Sequence, residues 1–284
     1  MSQPFAITLQ YLLPKKLLTA CMGQLAGWHL GGLTHWVIRR FVARYGVDMA
    51  QAADPRIESY PSFNEFFTRP LRAGVRPLGA APFVCPVDGA ISQLGPIAGD
   101  QVFQAKGHGY STRALVGGDA QLAAQFQDGS FATLYLSPRD YHRIHMPCAG
   151  RLRRMVYVPG DLFSVNPLTA QHVPGLFARN ERVVCEFECE FGPMVLVLVG
   201  ATIVGSMATV WHGVVNPPRT RAPREWRYDG QDIRLARGEE MGRFLLGSTV
   251  VLLFPKGAAA FAPDWAAARP VRMGEAMATR APAA

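Results

Sequence analysis

The sequence predicts an α+β fold, in which a helical region comes first and a β-rich sandwich or barrel-like domain follows. Residues 1–59 mix apolar residues with a few cations at helical spacing. From residue 60 onward, Pro and Gly recur at short intervals between runs of β-branched and apolar residues. We therefore predict a helical region over residues 1–59 and a β-rich domain over residues 60–284.

The helical region carries aromatic and aliphatic residues near cations. Trp28, Trp36 and Phe41 recur near helical spacing, and Arg40 and Arg44 lie close to them in sequence. An apolar, aromatic face with basic neighbours is typical of a helix that lies in a bilayer interface. A helix packed on the protein's own core shows the same periodicity, so this alternative stays open. We interpret residues 1–59 as a membrane-associating region.

The β-rich domain contains several short apolar runs that predict strands. They lie at residues 131–136, 155–158, 183–187, 194–199, 202–204 and 249–254. Residues 191–211 carry no charge and are long enough to span a membrane, but they contain glycines and a proline among Val, Ile and Thr. We therefore predict two buried strands broken at Gly200-Ala201. A capped helical turn is predicted to open near Ser62, and the segment after Pro263 is predicted to be loose.

Charge and cysteine content limit the classes of partner and site. The formal net charge of +8 suits an anionic partner, either nucleic acid or acidic lipid, and does not choose between them. The five cysteines form no CxxC pair, so we expect reduced thiols and no metal site.

Three sequence features contain residues that could carry chemistry. They are the Gly247-Ser248 pair between two apolar runs, the segment with His142 and His145, and Asp88 in a Val-Asp-Gly sequence. Alone, each has an ordinary explanation as a turn, an exposed pair or a hairpin. Together, Ser, His and Asp could form a nucleophilic triad. The GxSxG pattern of many serine hydrolases is absent, so an ordinary hydrolase is poorly supported.

A glycine directly before the serine suggests self-cleavage instead. A serine hydroxyl can attack the carbonyl carbon of the preceding residue, and Gly247 has no side chain to obstruct that approach. The peptide bond becomes an ester, and β-elimination then breaks the chain and leaves a pyruvoyl group at the new N-terminus. This chemistry needs a base for the hydroxyl and stabilisation of the oxyanion.

Five segments resemble the phosphatidylserine decarboxylases, especially bacterial members, and they occur in that family's order. These are FFTRPL (66–71), PVDG (86–89), LSPRDYHRIHMP (136–147), YVPGDLFSVN (157–166) and LGST (246–249). LGST alone would be a weak signal, whereas five ordered segments between about residues 60 and 256 are specific.

The resemblance implies a role for each matching site residue. Asp88, His145 and Ser248 match the self-cleavage triad, with His145 as the base and Asp88 orienting it. His142 matches the histidine of the decarboxylation step. Cleavage at Gly247-Ser248 would give a β chain of residues 1–247 and an α chain of residues 248–284, so the β-rich domain would be catalytic.

The same resemblance implies a cofactor, partners and a location. The pyruvoyl group derived from Ser248 would form a Schiff base with the substrate amine and accept the electrons left by CO2. Its substrate would be phosphatidylserine in an anionic membrane, and its product phosphatidylethanolamine. We expect a zymogen that matures into a heterodimer of its own chains, open to further oligomerisation. We also expect it to be peripheral at the cytoplasmic side of the cell membrane and to bind no nucleic acid.

Two other functions remain open at this point. A pyruvoyl-dependent decarboxylase of a soluble amino acid would share the cleavage chemistry, although the helical N-terminus and the full motif set argue against it. A non-enzymatic β-rich binding module, in which Gly247-Ser248 is only a turn, would fit the basic charge. Intact mass separates the pyruvoyl enzymes from the binding module.

Overall fold

Helices dominate the first part of the chain, as the sequence predicts. The computed structural model describes residues 3–203, 206–247 and 249–281. Within these ranges the helices are α1 (Gln3–Leu12), α2 (Lys15–Gly27), α3 (Gly32–Tyr45), α4 (Phe63–Phe67), α5 (Thr112–Leu115), α6 (Ala120–Ala124), α7 (Pro167–His172) and α8 (Leu176–Arg179). The predicted turn near Ser62 is confirmed, because Ser62 Oγ caps α4 by accepting a hydrogen bond from Glu65 N at 3.2 Å. No helix of the described ranges is long and apolar enough to cross a membrane.

Strands predominate from Phe83 onward in the described chain, with short helices between them, which confirms the predicted α+β class. They are β1 (Phe83–Val84), β2 (Gly89–Pro96), β3 (Gln101–Ala105), β4 (His108–Ser111), β5 (Ser130–Tyr135), β6 (Arg143–His145), β7 (Gly150–Val158), β8 (Arg182–Cys189), β9 (Gly192–Val199), β10 (Met207–Thr209), β11 (Gly213–Val214), β12 (Arg224–Arg227), β13 (Arg234–Leu235), β14 (Glu240–Phe244), β15 (Thr249–Phe254), β16 (Ala260–Phe261), β17 (Pro270–Val271) and β18 (Ala276–Thr279).

The described strands form antiparallel sheets, the largest of nine strands. Its order is β12-β7-β8-β9-β15-β5-β2-β17, with β13 also paired to β7. A four-stranded sheet has the order β11-β10-β14-β6, and smaller sheets are β1-β18-β16 and β3-β4. Strand β15 therefore lies inside the large sheet, with β9 on one side and β5 on the other.

The central strands are buried on both faces, which explains their continuous apolar sequence. In β9, Leu196 and Leu198 join the core shared with the four-stranded sheet, whereas Val195 and Val197 face a second core beneath α5–α8. The predicted strand pattern at 194–199 is therefore correct, and burial rather than a membrane accounts for its hydrophobicity.

Two local predictions from the sequence are wrong. Residues 202–204 were predicted to be a strand, but Thr202 and Ile203 lie in a turn, and Val204 falls outside the described residues. Ile203 has a φ of 61°, far from an extended conformation, and its N–H donates to Thr19 Oγ1 at 3.0 Å. The segment after Pro263 was predicted to be loose, but it contains two strands: β17 pairs with β2, and β18 pairs with β1.

A third apolar cluster joins the N-terminal helices to the β-rich body. It contains Ile38 of α3, Phe66 and Phe67 of α4, and Leu246 in the connection between β14 and β15. This connection leaves the four-stranded sheet and enters the nine-stranded sheet. The helical region thus packs directly beside Gly247. The division of the chain into domains at residue 60 stays a prediction.

Candidate active site

The loop between β5 and β6 is held in shape by Asp140. Its Oδ2 accepts hydrogen bonds from the backbone N–H and the hydroxyl of Ser137, both at 2.7 Å. Asp140 N donates back to Ser137 O at 2.9 Å, which closes the turn. Burial raises the pKa of Asp140 above its ordinary value. The closed turn fixes the backbone that carries His142.

His142 is fully buried at the end of this loop, and hydrogen bonds to described residues reach only one of its ring nitrogens. Nδ1 lies 2.8 Å from Asp140 O, so Nδ1 carries the proton and donates it to this carbonyl. The ring packs on Phe67 with 4.0 Å between ring centroids. Burial lowers the pKa of His142 to about 3, so the ring is neutral at physiological pH. Nε2 has no hydrogen-bond partner among the described residues.

Nε2 of His142 lies beside Gly247. A Cβ placed on Gly247 would be 3.2 Å from His142 Nε2, so a side chain at this position would crowd the ring. Ser248 itself lies outside the described residues. Thr249, which follows it, begins β15 and pairs with Tyr135 and Val199. Thr249 is therefore anchored in the sheet, and His142 is the predicted site residue that the structure brings beside Gly247.

A cavity of about 200 Å³ opens at this junction. Gly247, Leu136 and Leu246 line it from the β-rich body, and Phe41 and Tyr45 line it from α3. Tyr45 is partly exposed, and α3 also carries exposed Leu33, Trp36 and Val37. The cavity at Gly247 thus adjoins α3, which carries the exposed aromatic residues Trp36 and Tyr45.

His145 lies further along the same segment, in β6, and both of its ring nitrogens are occupied. Nδ1 donates to Gly238 O at 2.8 Å, and Nε2 accepts from the hydroxyl of Tyr141 at 3.0 Å. These roles follow from the carbonyl, which can only accept. Burial lowers the pKa of His145. The hydrogen bond to Gly238 O and the charge of Glu240 oppose this shift, and the charge of Asp88 opposes it more weakly.

Asp88 is buried in a separate set of hydrogen bonds. Arg76 Nε donates to its Oδ1 at 2.9 Å, and Met273 N donates to the same oxygen at 2.8 Å. Asp88 and Tyr141 line a second cavity of about 530 Å³. Among the described side chains, no hydrogen bond joins Asp88 to His145. Here His145 is oriented by Gly238 and Tyr141, so an orienting role of Asp88 requires its charge to act through space or the site to rearrange.

Several site residues were not singled out from the sequence. Asp140 and Tyr141 lie inside the LSPRDYHRIHMP segment, and Phe67 lies inside FFTRPL. The family resemblance therefore marked these segments as part of the site, but it did not indicate what each of the three residues does there. Gly238, 93 positions from His145, had no signal at all. Within the described residues, no group of three or more His, Cys, Asp or Glu side chains could hold a metal ion.

Comparison with known proteins identifies the family. The family described as Phosphatidylserine decarboxylase matches residues 63–279, and a second family profile, described as PSD, matches residues 5–46. A protein named Phosphatidylserine decarboxylase proenzyme from Acidovorax ebreus is 71% identical over 280 residues, covering 99% of both chains. Proteins of the same name from Dechloromonas aromatica and Variovorax paradoxus are 69% and 70% identical over 281 residues, with 99% or more of each chain covered. The chain therefore belongs to the phosphatidylserine decarboxylase family.

Proposed function

We propose that the chain is a self-cleaving proenzyme that decarboxylates phosphatidylserine to phosphatidylethanolamine and CO2. The observation that carries this proposal is a fully buried, neutral His142 beside Gly247 of the LGST sequence, whose Nε2 has no partner in the part of the chain that the structure describes. The relatives' name, which includes both the decarboxylase and the word proenzyme, supports it.

Self-cleavage would begin at the hydroxyl of Ser248, and His145 is the proposed base. Its Nε2 already accepts a hydrogen bond from Tyr141, so it would exchange this donor for the serine hydroxyl. The proton leaves the hydroxyl, the oxygen bonds to the Gly247 carbonyl carbon, and the protonated nitrogen leaves as an amine. Elimination across Cα–Cβ of the ester then releases the Gly247 carboxylate, and addition of water with loss of ammonia leaves the pyruvoyl group. Asp88 would favour the protonated base through its negative charge.

The surroundings of Gly247 fit a pyruvoyl group at residue 248. Gly247 has no side chain at the junction, and Nε2 of His142 has no partner among the residues with described positions. The neighbouring cavity of about 200 Å³ gives room for a substrate headgroup. When present, the pyruvoyl group supplies the electron sink that accepts the electrons left behind by CO2.

His142 is the proposed proton carrier of the decarboxylation. Phosphatidylserine carries an ammonium group, which must lose a proton before it can act as a nucleophile. His142, with its pKa lowered to about 3, takes up that proton at Nε2 only transiently, while the Asp140 carbonyl keeps Nδ1 protonated and the ring oriented. The same proton is then available at Nε2 for the substrate Cα after CO2 has left. Phe67 packs on the ring at an interplanar angle of 40° and restricts its rotation.

The mature protein would consist of two of its own chains at a membrane surface. We propose chains of residues 1–247 and 248–284, held together as a heterodimer that could assemble further. Eleven large apolar side chains between residues 11 and 45 are exposed, against five in the rest of the described chain. Residues 1–47 contain five Lys or Arg and no Asp or Glu. Such a surface is suited to peripheral binding at an anionic bilayer, for which we propose the cytoplasmic side of the cell membrane.

The experiment combines intact mass with an assay of CO2 release. We expect two species split after Gly247 in the purified protein, and one uncut species for Ser248→Ala. We expect the cut protein to release CO2 from phosphatidylserine in mixed micelles but not from free serine. An active preparation consisting of one intact chain would refute the pyruvoyl chemistry. Release from free serine alone would instead favour a decarboxylase of a soluble amino acid.

A further inference from the structure

A third cavity, lined mostly by polar residues, lies against helix α2. Its volume is about 530 Å³, and it shares no lining residue with the cavity at Gly247. We call it the basic pocket and define it by its charged lining residues, which are Lys16, Asp161, Arg179, Glu181, Arg219 and Arg221. Four cations against two carboxylates leave this pocket with an excess of positive charge.

The back of the basic pocket is built around a buried carboxylate. Glu181 is 2% exposed and accepts hydrogen bonds from Arg219 Nε and from the Tyr157 hydroxyl, both at 2.9 Å. The carboxylate thereby holds the Arg219 guanidinium at the pocket wall. Arg179 pairs with Asp161 at 3.2 Å, so this cation is also fixed in place.

The two remaining cations account for the excess charge. Among the described residues, no carboxylate lies within 4.0 Å of Lys16 or Arg221, and both side chains are exposed. An anion that enters the pocket would therefore meet two uncompensated charges, besides Arg219 and Arg179, which are already oriented. A phosphate diester offers the single charge and the acceptor oxygens that such a set of donors recognises.

The basic pocket also opens beside an apolar surface. Phe163 packs edge-on against Tyr11 at 5.0 Å between centroids, and the Arg179 guanidinium lies 4.8 Å from the Phe163 ring. Tyr11 and the neighbouring Leu12 and Leu17 are exposed. The pocket therefore lies at the boundary between the exposed apolar side chains of α1 and α2 and the cations. A lipid could place its tails against the apolar side chains and its headgroup against the cations.

We infer that the basic pocket binds the phosphate diester of an anionic glycerophospholipid that is not the molecule undergoing decarboxylation. The inference rests on the proposed membrane association, because the apolar surface beside the pocket is what identifies the ligand as a lipid. A lipid held there would fix the orientation of α2 on the membrane, and α2 packs against α4, which carries Phe67 of the active site.

Vesicle flotation tests this inference with two matched double variants. Lys16→Gln/Arg221→Gln removes the uncompensated charges of the basic pocket. Arg40→Gln/Arg44→Gln removes two exposed cations of α3, the helix with exposed Leu33, Trp36 and Val37, and both lie outside the pocket. Each variant loses two positive charges, so any general attraction to an anionic surface falls equally in both. Thermal unfolding checks that both variants fold as the parent does.

The vesicles contain phosphatidylcholine alone or phosphatidylcholine with phosphatidylglycerol, at constant ionic strength. We expect phosphatidylglycerol to strengthen binding of the parent protein, and we expect the pocket variant to bind these vesicles about tenfold more weakly than the α3 variant. On phosphatidylcholine alone the two variants should bind equally. Equal binding of both variants to phosphatidylglycerol vesicles would overturn the inference. Failure of the parent protein to float with any vesicle would instead refute the membrane association itself.

Discussion

The buried, neutral state of His142 predicts a specific dependence of stability on pH. Burial lowers its pKa from 6.5 to about 3, whereas the unfolded chain retains the ordinary value. Between these pH values the unfolded state binds a proton that the folded state does not bind, so the free energy of unfolding falls as the pH falls. The contribution is complete above pH 6.5 and is lost progressively toward pH 3.

The size of this effect follows from the two pKa values. At pH 5 the unfolded histidine is almost fully protonated and the folded one almost fully neutral. Linkage then gives a loss of about 2 kcal/mol between pH 8 and pH 5, at about 1.4 kcal/mol per pKa unit. Replacing His142 with glutamine removes this contribution, because glutamine does not titrate.

The assay compares two uncut proteins in urea. Ser248→Ala serves as the parent and Ser248→Ala/His142→Gln as the variant, so that chain cleavage does not complicate unfolding. Tryptophan fluorescence follows urea unfolding at pH 8 and at pH 5. Other titrating groups are common to both proteins, so the parent should lose about 2 kcal/mol more than the variant. Equal losses within about 0.5 kcal/mol would show that His142 is not held neutral by burial.

Three further predictions concern the same site. Gly247→Ala places a methyl carbon 3.2 Å from His142 Nε2 and should slow self-cleavage about tenfold or more, measured as a gel time course. The control Gly230→Ala, which has open space around the added methyl group, should cleave at the parent rate. Tyr141→Phe leaves His145 Nε2 without its donor and should lower the free energy of unfolding by about 1 kcal/mol in urea; an unchanged value would show that this bond contributes nothing. His145→Ala should stay uncut, whereas His142→Ala should be cut but release CO2 poorly. A His142→Ala enzyme with full activity would refute the proposal that His142 transfers the proton.

The large-scale features of this fold were predictable from local sequence. Strands β9 and β15 are buried on both faces, so their continuous apolar runs identified them without knowledge of their neighbours. The turn at Ile203 was missed because β-branched residues favour strands, and only the contact with Thr19 in the N-terminal region shows why the chain turns there. The ordered segment after Pro263 was missed because strands of two to four residues leave little pattern.

The candidate site was predictable as a set of residues but not as a set of contacts. The LSPRDYHRIHMP and LGST segments pointed to His142 and Gly247, and the structure brings these two residues together. The partners of His145 and Asp88 could not be foreseen, because Gly238 and Met273 come from distant parts of the chain. Hydrogen bonds of this kind depend on sheet order, which the sequence does not specify.

Strand β15 has a consequence for what cleavage can and cannot release. It begins directly after Ser248 and is hydrogen-bonded along its length to β9 and β5. A cut after residue 247 would therefore create a new chain end without releasing the shorter chain, because the shorter chain contributes β15, an inner strand of the sheet. We expect the two pieces to separate only in denaturant and to copurify in any native buffer. Thr249, the residue after the newly made terminus, would then stay paired with Tyr135 and Val199 through every turnover.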